Sequence, residues 1–245
     1  MNMFAMSDDN YPSERVINAA SVGRLEDLRR ALDDGGDPDY VRLNVAPTLI
    51  TTFRNYDECL ALLIERGARP DVPNQEGWTA LHEASKKEET TLLEIVLRAP
   101  DTQVRMFAQD KHGHSALFAA MEENRFENAK LLLQREPTLV DTCDKQGVTP
   151  VMFAAQNKNA EWLEFLLKAG ADINSTTEDQ KTLADFVGPW DEGRVIMQNT
   201  RAVKVDKTES APKKVRSQTE DSAPVVETPV KENAFQLGGV RKKTM

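Results

Sequence analysis

Five residue pairs set the register of this chain: Ala19-Ala20, Thr51-Thr52, Ala84-Ser85, Ala120-Met121 and Ala154-Ala155. Fifteen positions after the second member of each pair stand Gly35, Gly67, Pro100, Glu136 and Gly170, separated by 32, 33, 36 and 34 residues. A period that steady signals a solenoid of stacked two-helix units. Helix two of each unit repeats large apolar residues at helical spacing: Leu25, Leu28, Ala31 and Leu32; Leu93, Val96 and Leu97; Phe126, Ala129, Leu132 and Leu133; Leu163, Leu166 and Leu167. That gives one apolar face per helix. No single unit can bury it, so stability belongs to the stack.

The other recurring residues have local tasks. Thr79, Ser115 and Thr149 are the right type to cap a first helix, each hydroxyl accepting an orphan backbone N–H. Pro150 follows Thr149, where a missing N–H costs nothing. The Ala pairs keep the inner side of helix one small, so neighbouring units approach closely. Gly77, Gly113 and Gly147 suit a turn of unusual φ, and Gly35, Gly67 and Gly170 suit the end of helix two.

GWTALHEASKKEETTLLEIVLRA (Gly77 to Ala99), GVTPVMFAA (Gly147 to Ala155) and KAGADIN (Lys168 to Asn174) carry a specific likeness. From about Pro12 to Asn199 the chain resembles the ankyrin repeat. The resemblance implies an all-α solenoid of five helix-turn-helix units plus a degenerate C-terminal cap. The units fall at about 12–40, 41–73, 74–109, 110–143 and 144–176, with the cap at 177–199. Residues 1–11 are expected to be a flexible N-terminus and 200–245 a disordered tail, because the tail is charged, Pro/Ser/Thr-rich and poor in large apolar residues. The second unit lacks a cap hydroxyl and has a β-branched first helix, so it is expected to be the least regular. The link through PDTQVRMFAQD is long, and the sixth unit, QKTLADFVGPW then DEGRVIMQN, is expected to be truncated at Gly188-Pro189.

Charge divides the chain. The whole carries 31 basic and 40 acidic residues, and residues 201–245 hold ten basic and six acidic. The solenoid part is therefore strongly acidic, which disfavours direct nucleic-acid binding. Two cysteines, Cys59 and Cys143, give no disulfide framework and suit a reducing compartment. Cys59 is expected in the core and Cys143 in a finger, open to solvent. MNMFAMSDDNYPS lacks the charged and apolar regions of a signal peptide, and no stretch approaches the length of a membrane span. The expected location is cytoplasmic, with nuclear entry left open by Lys213-Lys214-Val215-Arg216, which resembles an import signal. SQTEDSAPVVETPV resembles a degradation-promoting segment, Phe235 and Leu237 could dock in a groove, and Thr228-Pro229 could accept a phosphate. Arg201 to Val205 approaches a phosphatase-docking motif but lacks its aromatic.

No active-site motif stands out. GxSxG, a P-loop and HExxH are all absent from the sequence. His82 holds the family's Thr-x-Leu-His slot, where the resemblance implies a tie between fingers; Phe118 and Met152 hold the same slot elsewhere. His112-Gly113-His114 offers two ligand types without a third, so an exposed finger contact is expected rather than a metal. Trp162 falls in an apolar slot of helix two and is expected in the core. The chain is therefore read as a non-catalytic adaptor or scaffold with no cofactor, no metal and no small-molecule substrate, binding a partner protein. Two alternatives are a regulator masking a transcription factor, its turnover controlled through the tail, and a metal-bearing enzyme subunit.

The resemblance implies that partners meet the finger tips and the outer surface of first helices. By position, that selects Arg42, Leu43, Val45, Phe53 and Arg54 in the second unit, and Gln75, Glu76, Trp78, Lys86 and Lys87 in the third. It selects Lys111, His112, His114, Glu122 and Glu123 in the fourth, and Lys145, Gln146, Val148, Gln156 and Asn157 in the fifth. Phe53 and Trp78 stand where the scaffold needs no large aromatic, and interface anchors are enriched in such residues. These positions are also more basic than the rest of the solenoid, so a mixed or mildly acidic partner is as well suited as a basic one.

Overall fold

The computed structural model describes residues 11–100 and 105–204. Its helices come in pairs. The first three units are α1 (Pro12–Val22) with α2 (Leu25–Asp33), α3 (Pro47–Arg54) with α4 (Asp57–Glu65), and α5 (Ala80–Lys86) with α6 (Thr91–Leu97). The next three are α7 (Ala116–Glu122) with α8 (Phe126–Arg135), α9 (Pro150–Gln156) with α10 (Ala160–Ala169), and α11 (Leu183–Val187) with α12 (Asp191–Lys204). A short 3-10 helix, Pro137–Asp141, follows α8. No strand occurs among the described residues; two isolated bridges, Arg42 with Val45 and Thr176 with Thr182, close turns. Residues 1–10 of the expected flexible N-terminus and the tail beyond Lys204 lie outside the described residues.

First helices stack on first helices, α1 on α3, α3 on α5, α5 on α7 and α9 on α11. Second helices do the same from α2 to α4 to α6 and from α10 to α12. Between the fourth and fifth units the 3-10 helix fills the joint, touching α8, α9 and α10 and burying Leu139 and Val140. The sixth unit is less truncated than its sequence suggests. Gly188 does stop α11 after five residues, but α12 runs for 14 and takes in Thr200–Lys204. Arg-Ala-Val-Lys contains no helix breaker, so nothing local stops the helix there.

The core has two parts. Val16, Leu28, Leu32, Cys59, Leu62 and Leu63 belong to one apolar cluster, and residues from Leu60 to Met197 form the other. Buried hydroxyls lie in the unit shared by the two clusters: Thr48, Thr51 and Thr52 on α3, all nearly inaccessible. Each is satisfied locally. Thr51 Oγ1 donates to the Pro47 carbonyl at 2.9 Å, Thr52 Oγ1 to the Thr48 carbonyl at 2.7 Å, and Thr48 Oγ1 to the Arg69 carbonyl at 3.2 Å. A bonded hydroxyl avoids the desolvation cost but adds less apolar contact than the Ala it replaces. The second unit thus departs from its neighbours in the polar first helix read from its sequence.

Three local expectations need correcting. Thr79 does form a capping box on α5, but with His82 where Glu or Gln is usual. Ser115 and Thr149 sit at the N-cap positions of α7 and α9 without capping them. Ser115 Oγ instead lies 3.2 Å from Thr142 Oγ1, and Thr149 Oγ1 is buried without a partner. Cys143 is buried, not open to solvent, because its finger packs between its neighbours.

An acidic staple joins the first three units. The Arg69 backbone N–H donates to Asp39 at 2.7 Å. Asp71, its side chain almost fully buried, accepts from Arg69 Nε and meets Arg105 Nε, each at 3.2 Å. Two guanidinium partners offset the cost of burying that carboxylate.

Candidate protein-binding face

The fingers are built by one residue type at a fixed offset. Asn74, Asp110 and Asp144 each stand five positions before the cap residue of the next helix. Each side-chain oxygen accepts two backbone N–H groups across its own turn, Glu76 and Trp78 at 2.9 Å, His112 and His114 at 2.8 and 2.9 Å, Gln146 and Val148 at 2.8 Å. Asx side chains hold turns in this way. The turn then demands a positive φ at Gly77, Gly113 and Gly147. Close approach demands glycine as well: a Cβ on Gly113 would lie 2.5 Å from the Lys145 nitrogen.

Successive fingers are tied into a ladder. The Lys111 N–H donates to the Glu76 carbonyl at 2.7 Å, Lys145 to His112 at 3.2 Å, and Glu178 to Gln146 at 3.0 Å. His82, fully buried, reinforces one rung. Its Nδ1 accepts the Thr79 N–H at 3.3 Å, and its Nε2 reaches the His114 carbonyl at 3.1 Å. With Nε2 as donor the ring is neutral, and burial pushes its pKa below the ordinary histidine value. The tie expected of this slot is present, and the same ring also completes the cap of its own helix.

The second unit's finger is built differently. Arg42 and Val45 exchange backbone bonds of 3.2 and 3.0 Å around a two-residue turn. Leu43 and Asn44 both take positive φ, 51° and 60°. Asn tolerates that region; Leu does not. Among the described residues no backbone bond joins this turn to the finger of the third unit, so the ladder begins only at the third.

None of the twenty sequence-selected residues is buried. Val45, Trp78, Lys86, Lys87, His114 and Val148 are half-buried, and the other fourteen are exposed. Phe53 is 61% exposed. Trp78 is less free than its position suggests, since its ring lies 5.0 Å from that of His82 and its indole N–H donates to Glu83 at 3.2 Å. His114 is no simple exposed contact. Its ring stacks on Phe118 at 4.9 Å and its Nδ1 meets Glu122 at 3.3 Å, a partner that raises its pKa. His112 is exposed. Among the described residues no group of three or more His, Cys, Asp or Glu is placed to hold a metal ion.

The basic character read from the sequence is largely neutralised in place. Lys86 pairs with Glu123 at 3.2 Å, Lys87 with Glu83 at 2.8 Å, and Lys111 with Glu76. Arg42 donates to the Asn18 amide oxygen at 3.0 Å, and neither it nor Arg54 has an ion pair among the described residues.

Besides the Asn74, Asp110 and Asp144 turns, two features escaped the sequence reading. Ser21 and Val22 of the first unit occupy the positions of Phe53 and Arg54, and Val22 is 56% exposed. The register alone would have supplied them. A cleft of about 350 Å³ between the fourth and fifth units is lined by Phe153, Asn124, Asn157, Asn159 and Trp162 among others. Trp162 is core, as expected, but its indole N–H reaches Asn124 at 2.6 Å, a bond set by the left-handed backbone of Asn124.

Comparison with known proteins now bears on this geometry. A sequence profile of ankyrin repeats, three copies, matches residues 102–177. The crystal structure of the ankyrin repeat domain of Bcl-3 superposes with a TM-score of 0.67 at 24% identity, covering 82% of this chain and 89% of that one. The chain has the ankyrin-repeat fold, and residues 102–177 match the repeat's own profile. Rabankyrin-5 of Mus musculus is 23% identical over 176 residues, which cover 72% of this chain. The B-cell lymphoma 3 protein homolog of Mus musculus is 26% identical over 134 residues, 54% of this chain. The ankyrin repeats here span 15% of the length of the first and 30% of the second. Ankyrin repeats generally mediate protein–protein interaction. No described helix is long and apolar enough to cross a membrane.

Proposed function

We propose that the chain is a non-catalytic adaptor or scaffold that holds a partner protein on its fingers and first helices. One observation carries the reading. Most of the residues that repeat for packing are buried, while none of the twenty positions on this face is buried and fourteen of them are exposed. A rigid ladder thus presents side chains that the scaffold itself does not need, which is how a preorganised interface limits its ordering cost. Binding of a protein captured by the full chain should fall when exposed face residues are changed, for example Phe53→Ala with Lys145→Glu. It should survive changes on exposed second-helix positions such as Arg29→Glu with Lys130→Glu. Equal sensitivity to both sets would sink the proposal.

A second reading, supported by the import-like cluster Lys213-Lys214-Val215-Arg216, is a cytoplasmic regulator, also entering the nucleus, that masks a transcription factor. In that case Lys213, Lys214 and Arg216, which lie outside the described residues, direct entry. Replacing all three with Ala should move a fluorescently tagged full chain out of the nucleus; an unchanged distribution removes this reading.

A further inference from the structure

We propose that the second unit is the anchor of the binding face, and that it takes an acidic segment carrying one large apolar side chain. The inference rests on the protein-binding reading above and names the chemistry of the partner. Residues 41–56, the finger and first helix of this unit, contain no Asp or Glu, although the solenoid around them is acidic. Their two cations, Arg42 and Arg54, are exposed and lack carboxylate partners among the described residues. In the third and fourth units an incoming carboxylate would have to displace Glu123, Glu83 or Glu76 from its lysine. At Arg42 and Arg54 it displaces none. Complementary charge that is not already spent within the protein is the kind that selects and orients a partner.

The apolar half of the argument is independent of charge. Phe53 stands where Lys86, Glu122 and Gln156 stand in later units, and it is 61% exposed. Lys87 covers one side of the ring, with Nζ 5.6 Å from its centre and bonded to the Phe53 carbonyl at 3.1 Å. The ring is thus held in place while most of it stays open. Leu43 is 87% exposed and holds a positive φ that Gly or Asn would adopt without strain. Folding does not account for a leucine there, since it is strained and buries little. An aromatic ring held open beside an arginine, as Phe53 is beside Arg54, is the composition that interfaces favour.

A library of random dodecapeptides selected on the full chain tests this, with the best peptide then titrated by fluorescence polarisation. Enriched sequences should carry two or more acids around a large apolar residue. Their affinity should fall at least tenfold with Phe53→Ala combined with Arg54→Glu, and should weaken as salt rises. Leu43→Gly separates binding from folding: affinity should fall while the urea midpoint holds or rises. Enrichment of basic or uncharged peptides, no enrichment, or acidic peptides indifferent to the second-unit changes would each overturn the inference. Peptides that lose affinity only with changes such as Lys145→Glu would leave the face as the binding site and refute its anchor.

Discussion

His82→Met is the most informative single change to the scaffold. The same slot holds Met152 in the fifth unit, so the replacement is one this architecture accepts. It fills similar space with an adaptable apolar chain, and it removes the polar contacts of a fully buried ring with the Thr79 N–H, with the Thr79 hydroxyl 2.9 Å from Nδ1, and with the His114 carbonyl. The Thr79 N–H loses the Nδ1 acceptor and the His114 carbonyl loses the Nε2 donor. A buried polar group stripped of its partner costs about 1–3 kcal/mol. The Thr79 bond is long at 3.3 Å and sits at the low end, so the sum is about 2–4 kcal/mol. Because the second bond crosses from the third unit to the fourth, the loss falls on one interface of the stack, and stack stability is a sum of such interfaces. Urea unfolding followed by far-ultraviolet circular dichroism at pH 7.5 measures it. A loss under about 0.5 kcal/mol, the size of an ordinary surface change, would mean that His82 is only a filler and that the rung does not depend on it.

Three further outcomes follow from the same contacts. His82 and His114 pull stability in opposite directions with pH. His82, its pKa lowered, favours folding above the ordinary value of about 6.5 and that contribution is lost as pH falls through its folded pKa. His114, its pKa raised by Glu122, favours folding below that value and loses its contribution as pH rises through its folded pKa. Urea midpoints between acid and mild alkali should therefore lose their acid-side fall in His82→Met and their alkaline-side fall in His114→Gln; unchanged profiles contradict the assignments. Gly35→Ala, with nothing within 4 Å of the new Cβ, should cost only the left-handed strain of about 1–2 kcal/mol. Gly113→Ala, at nearly the same φ but 2.5 Å from the next finger, should cost at least twice as much, and equal midpoints would refute the close approach. Asn124→Gly keeps the left-handed backbone but strips the Trp162 indole of its acceptor, so it should cost about 1–3 kcal/mol in the same assay; no loss would show the bond to be dispensable.

Residues that packing repeats were legible in the sequence. The pairs at Ala84-Ser85 and Ala154-Ala155, the apolar second helices, and the finger glycines recur because every unit must solve the same burial problem, and they lie where the period puts them. What stayed hidden depends on partners far away in the sequence. Ser115 and Thr149 have the composition of caps, yet their hydroxyls are governed by what packs against them, Thr142 in one case and no donor or acceptor in the other. Cys143 looked exposed because its finger was read alone, while the structure sets it between two others. The basic bias of the face could be counted but its neutralisation could not, since Lys86 meets Glu123 and Lys111 meets Glu76 across the gap between units. Asn74, Asp110 and Asp144 were readable in principle, through their constant offset from the cap, and are the clearest signal passed over.

The most direct test of the account is a hydrogen-exchange footprint of the full chain with and without a partner it captures. Bound partner should slow exchange at 41–45, 74–78, 110–114 and 144–148 and at the C-terminal ends of α3, α5, α7 and α9. The outer faces of α4, α6, α8 and α10 should be unaffected. Protection confined to those second helices, or to residues beyond 204, would contradict it.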